Sequence, residues 1–227
     1  MTKYLLFLII AATLTAQSQN PDDYFNPFRA ETWVFGISGS LSFDNFHTSY
    51  NRDEYPQLKI NSTDFTINTR NGRMVSKYIA VGVDFQWDIN NSTTSPDGSE
   101  EILEVKEVET LGFIGVWGRY YVPLKKEDFA VFAEVSIGYS SYSDEQRVSD
   151  GLFTSNNITD ADGLGYNAGL GLSLFVTKHI AFELTGRFEA GELTGTTKTL
   201  ENSQELINDF KINKQRINLL LGIQIYL

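Results

Sequence analysis

Ile79-Ala80-Val81-Gly82-Val83-Asp84-Phe85-Gln86-Trp87-Asp88-Ile89 is the stretch that decides the fold. Its odd positions hold six large apolar residues. Its even positions hold Ala80, Gly82, Asp84, Gln86 and Asp88. A period of two puts alternate side chains on opposite faces of a strand. One face suits an apolar surrounding, and the other suits a tight polar one.

The same alternation recurs on both sides of this run. Upstream, Trp33, Phe35, Ile37, Gly39, Leu41 and Phe43 alternate with small residues, and Asn61 to Arg70 repeats the pattern more weakly through Phe65, Ile67 and Thr69. Downstream, Thr110 to Val122 is apolar on both faces and ends at Pro123. Phe129 to Ser140, Gly165 to Val176, Ile180 to Glu189 and Arg216 to Leu227 complete eight runs. Most have roughly 10 to 13 residues. Ordinary strands have about 5 to 6, whereas membrane barrel strands need about 9 to 11.

The connections alternate in length. Arg70 to Tyr78, opened by Asn71-Gly72, Pro123 to Asp128 and Thr177 to His179 are short. Asp44 to Lys59, Asn90 to Glu109, Tyr142 to Gly163 and Ala190 to Lys214 are long and polar. Short turns at one end and long loops at the other mark outer-membrane barrels. A spanning sheet must close, because lipid cannot satisfy a free strand edge. The expected fold is therefore all-β: an eight-stranded antiparallel up-and-down transmembrane barrel with short periplasmic turns and long extracellular loops.

Closure assigns the two faces. The large apolar row meets lipid, and the small and charged row meets the lumen. Asp64, Arg70, Asp84, Asp88, Glu134, Glu183, Arg187, Glu189 and Arg216 fall on the lumen row, with Arg119 if the fourth strand takes the favoured register. Both signs are present, so the charges can pair. Eight strands leave an interior just wide enough for side chains to fill. Centring the middle turn between Lys126 and Glu127 sets Tyr121 opposite Phe132 and Arg119 opposite Glu134. Aromatic girdles are expected from Trp33, Tyr78, Tyr120 and Tyr121 at the short-turn end, and from Trp87, Tyr139 and Tyr142 at the other.

Lys3, the apolar run Tyr4 to Ala12 and the small polar exit Thr13 to Ser18 have the form of a secretory signal peptide. The expected division is residues 1–18 removed, 19–31 an irregular periplasmic lead-in and 32–227 the barrel. The apolar core is shorter than the roughly 20 residues a membrane helix needs. Cleavage after Ser18 or after Ala16 both fit.

Composition agrees. The 227 residues include 18 Gly, 16 Phe and 11 Tyr, but only 5 Pro and 2 Met. The absence of cysteine excludes disulfides, cysteine zinc sites and thiol nucleophiles. A net charge of −11 argues against a nucleic-acid partner.

At this point the chain resembles the small OmpA/OmpX-type barrels, the outer-membrane protein beta-barrel domains, over Thr32 to Leu227. Two motifs carry the resemblance. Gly118-Arg119-Tyr120-Tyr121-Val122-Pro123-Leu124, followed by Phe129-Ala130-Val131-Phe132-Ala133-Glu134, is similar to the middle hairpin of such proteins. Gly222-Ile223-Gln224-Ile225-Tyr226-Leu227 is similar to the C-terminal signal read by the barrel assembly machinery, with Gly222, Ile225 and Leu227 at the positions that matter and leucine where many relatives end in phenylalanine. The resemblance implies integral insertion in the bacterial outer membrane. The partners it implies are outer-membrane lipid, the assembly machinery and an unidentified extracellular ligand for the loops.

Catalytic chemistry is poorly supplied. His47 falls in the first long loop and His179 in a short turn, on opposite sides of the membrane. Ser42, Ser49, Asp44 and Asp53 near His47 are ordinary loop residues. Asp97, Glu100, Glu101, Glu104, Glu107 and Glu109 crowd the second loop but lack EF-hand spacing, which favours a solvated acidic loop over a calcium site. The expectation is a non-enzymatic surface protein, structural or adhesion-like, without cofactor or metal. The alternatives are a barrel enzyme acting on lipid or peptide, and a soluble periplasmic barrel binding a small ligand.

Overall fold

The computed structural model describes residues 27–48, 58–96, 104–124, 128–149, 154–201 and 204–227. Eight strands follow in chain order: β1 (Trp33–Thr48), β2 (Leu58–Ser76), β3 (Ile79–Pro96), β4 (Glu104–Pro123), β5 (Phe129–Ser149), β6 (Thr154–Phe175), β7 (Ile180–Glu201) and β8 (Gln204–Tyr226). Each pairs antiparallel with its neighbour, and β8 pairs back onto β1, so the sheet is a closed barrel. The segment holding the signal-peptide reading, Lys125 to Glu127, and the loop residues Ser49, Asp53, Asp97, Glu100 and Glu101 lie outside the described residues.

The strands are longer than their alternation shows. They run from 16 residues in β1 to 23 in β8. The segments read as long loops are in most part paired strand: β3 continues to Pro96, β4 starts at Glu104, and β7 and β8 pair as far as Glu201↔Gln204. Beyond the lipid-matched portion the outward face no longer needs apolar residues, so in stretches such as Thr194–Thr199 polar residues alternate with polar residues and the period of two fades from the sequence. Backbone pairing does not need it. The outward end of the barrel therefore carries four long hairpins.

At the other end β2 does not turn at Asn71-Gly72. It continues to Ser76, and the turn is at Lys77-Tyr78, where Tyr78 adopts a φ of 80°. Gly72 lies in the strand opposite Gly82. A Cβ on Gly72 would come within 3.0 Å of the Gly82 Cα, so the two glycines let β2 and β3 approach.

The outer surface between the two ends is an apolar belt. Phe35, Ile37, Phe85, Val116, Val135, Leu170, Phe182, Leu219 and Ile223 all point away from the lumen and are exposed. A soluble sandwich or ligand barrel would bury this row, so the alternation has the sense expected of a barrel facing lipid. Trp33, Trp87, Tyr120 and Tyr139 stand exposed at its margins. Tyr121 and Tyr142 do not join them. Both have lumen parity, and Tyr121 is fully buried. Two adjacent tyrosines on a strand cannot both face lipid, so the girdle takes Tyr120. Tyr78 packs inward against Phe28 at 5.7 Å between ring centres.

Closure is uneven. β7 and β8 pair from Ile180↔Ile225 to Glu201↔Gln204, whereas β1 and β8 pair only from Val34↔Tyr226 to Gly39↔Leu221. Trp33 and Leu227 exchange two backbone hydrogen bonds, of 2.7 and 2.9 Å, at the foot of this seam.

Candidate functional site

The lumen is where this chain concentrates its chemistry. The alternation that turns Phe85, Tyr120 and Val135 outward turns their neighbours inward. Four guanidiniums, Arg70, Arg119, Arg187 and Arg216, meet five carboxylates, Asp84, Asp88, Glu134, Glu183 and Glu189. All but Arg216, whose side chain is 26 % exposed, are nearly inaccessible.

Arg119 is central. β4 and β5 set it opposite Glu134, and Tyr121 opposite Phe132. Its Nη2 donates to Glu134 Oε2 at 2.8 Å, and its Nη1 donates to Glu183 Oε1 at 2.7 Å across the lumen. Nη1 also donates to the Tyr121 hydroxyl at 3.0 Å. The guanidinium carbon lies 3.8 Å from the Phe132 ring centre, in the range of a cation–π contact. A planar fork with several donors fits two carboxylates at once, as an ammonium could not. Arg70 Nη2 reaches the other oxygen of Glu134 at 2.9 Å.

A second centre forms on Asp84. It pairs with Arg187 and accepts from Asn68 Nδ2 at 2.6 Å and from the Ser136 hydroxyl at 2.8 Å. Higher up, Arg216 Nη2 bridges Asp88 at 2.7 Å and Glu189 at 2.8 Å. Gln86 Nε2 donates to the same two carboxylates at 2.7 and 2.8 Å. Asp64 also has lumen parity but lies near the outward end, where it accepts from the Ser42 hydroxyl at 3.1 Å. Such burial is tolerable only because each charge has an opposite partner.

Beneath this layer lies an aromatic floor. Tyr121, Phe132, Phe175 and Tyr226 pack with Phe28, which comes from the segment before β1. The Phe28 ring is 5.3 Å from that of Tyr121 and 5.5 Å from that of Phe175. Nothing in the alternation marks Phe28, since it belongs to no strand. Small residues make room for the large ones. Gly169 and Gly171 of β6 face Glu134 and Phe132 of β5, and a Cβ on Gly169 would lie 3.0 Å from Glu134 Cγ.

Against the charged layer lies a void of about 20 Å³, lined by Gln86, Phe113, Asn167, Glu189, Leu193 and Arg216. That is room for about one water. The charged layer contains no histidine among the described residues. His179 sits in the β6–β7 turn with Nδ1 2.8 Å from the Tyr226 carbonyl oxygen, while His47 belongs to β1 near its opposite end. Their separation rules out a shared site. Glu104, Glu107 and Glu109, assigned to the acidic loop, are residues of β4. Gly222, Ile225 and Leu227 lie at the closing seam, where a Cβ on Gly222 would meet the Ser38 Cβ at 2.6 Å.

A model of the outer membrane protein beta-barrel domain matches residues 5–222. Among solved structures, the outer membrane protein OprG from Pseudomonas aeruginosa is similar at 11 % identity with a TM-score of 0.50, covering 90 % of this chain and 99 % of that one. A major outer membrane protein from Thermus thermophilus is similar at 9 % identity with a TM-score of 0.51, covering 88 % and 100 %. At such identities the likeness is one of fold. No curated protein matches the sequence.

Proposed function

This chain belongs to the outer membrane protein beta-barrel domain family, and from that premise we propose that it is a non-enzymatic barrel that presents its long hairpins at the cell surface and passes no solute through its lumen. The observation that carries this reading is the transverse layer in which Arg119 of β4 holds Glu134 of the neighbouring β5 and, across the lumen, Glu183 of β7. A pore needs water along its axis. Here guanidinium–carboxylate bridges occupy the axis, with rings below them.

In this reading the short turns face the periplasm, the side from which an exported chain inserts. The hairpins beyond the belt carry an adhesive or structural role toward an extracellular ligand. Outer-membrane lipid covers the belt, and the assembly machinery reads Gly222, Ile225 and Leu227 on β8. The apolar belt, and the alternation of short turns with long hairpins, support that orientation.

The test is electrical. Purified full-length protein in planar bilayers is expected to give no steady conductance above the bare membrane. A reproducible wide pore overturns the reading.

A further inference from the structure

Above the belt, one inward-facing row runs Asn90, Glu109, Asp144, Thr159 and Thr197 across β3 to β7. Glu109 and Asp144 are direct partners in the β4–β5 register, and Glu107 is the next inward residue of β4. Side chains directly opposed on antiparallel strands start about 4.5–5.5 Å apart at Cβ, and like charges there repel. The flanking β3 residue Asn90 donates its Nδ2 to Glu109 Oε2 at 3.5 Å, and the flanking β6 residue Thr159 is neutral, so neither strand sets a cation against the pair. From β5, the Tyr142 hydroxyl donates to Glu109 Oε1 at 2.8 Å. From β8, the Lys214 ammonium stands 4.8 Å from the Tyr142 ring centre. Further up, β5 and β6 present Gln146 and Asn157.

The position matters because β4 and β5 belong to different outward hairpins. β4 closes the β3–β4 hairpin, and β5 opens the β5–β6 hairpin. Their pairing continues to Glu104↔Ser149, so it zips the two hairpins together beyond the belt. Glu109 and Asp144 lie partway along that zip.

We propose that this outer length of the β4–β5 seam is a proton-operated joint, closed while Asp144, opposite Glu109, is protonated and parting when Asp144 is ionised. Burial, reinforced by Glu107 and Glu109 and opposed by Lys214, pushes the Asp144 carboxyl up to about 6. Burial and Glu109 push Glu107 up as well. A folded carboxyl raised above its unfolded value favours the closed seam at low pH. That contribution is full below the ordinary carboxylate range and is lost as pH rises through about 6.

Hydrogen exchange on the full chain in detergent micelles, corrected for the intrinsic pH dependence, tests the joint. Amides of residues 105–111 and 142–148 are expected to exchange roughly tenfold faster at about pH 7.5 than at about pH 5, while belt amides such as Val116 and Val135 hold steady. Asp144→Asn is expected to keep the seam protected at both pH values. Equal protection of the wild-type seam at both pH values overturns the proposal, as does a variant that keeps the wild-type pH dependence. Carboxyl NMR gives an independent reading. An Asp144 midpoint near 6 supports the joint, and one near 4 overturns it.

Discussion

The two layers that occupy the lumen do so by different chemistry. The upper one is ionic. Its charges come from opposite walls, and each position is fixed by the hydrogen bonds of its partner, as Arg119 is between Glu134 and Glu183. The lower one is aromatic, and its rings meet at 5.3 to 6.4 Å in assorted tilts. Ring packing is tolerant of shape, because hydrophobic burial has no preferred direction. A desolvated ion pair is not, because half of it is worse than none. Mutations should therefore separate the layers sharply.

The largest effect is expected from Arg119→Ala, which leaves Glu183 without its cation and Glu134 with Arg70 alone. Removing one partner of a buried pair costs about 3–5 kcal/mol, measurable by denaturant unfolding in detergent. The double change with Glu134→Gln should cost less than the sum of the single changes. Strict additivity would mean that the ionic layer is no more cooperative than the floor. Phe28→Ala should cost less, at or below about 3 kcal/mol, the low end for truncating a buried phenylalanine, since this ring caps the floor from outside the barrel wall. A loss equal to that of Arg119→Ala would erase the contrast. The smallest effect is expected where the layers touch. Tyr121→Phe keeps the ring and deletes the hydroxyl that joins Arg119 to Tyr226, at about 0.5–1.5 kcal/mol.

The layers also differ in how legible they are from sequence. The parity that turns Phe85 outward turns Asp84 inward, and the turn length before Phe129 fixes which residue faces Arg119. Local spacing carries that information. The floor is less legible because its members look alike from either side: Tyr120 and Tyr121 are the same residue type one position apart, and only the register decides between them. Phe28 lies in a segment with no period, so its place follows from tertiary packing alone. The outward hairpins are opaque for a third reason. Once the outward face leaves the lipid, a strand such as Thr194 to Thr199 has no need of apolar alternation, and its composition resembles that of a loop.

A ring made of eight joints is as durable as its shortest one. Seven of these joints form between strands consecutive in the chain, each a hairpin that pays little loop-closure entropy. The eighth joins the first strand to the last and holds only from Val34↔Tyr226 to Gly39↔Leu221. It is a clasp. It can fasten only after β8 has left the ribosome, and its modest length lets it be the place where the circle is last made and first undone. Gly222 and Ser38, packed face to face there, are the teeth of that clasp.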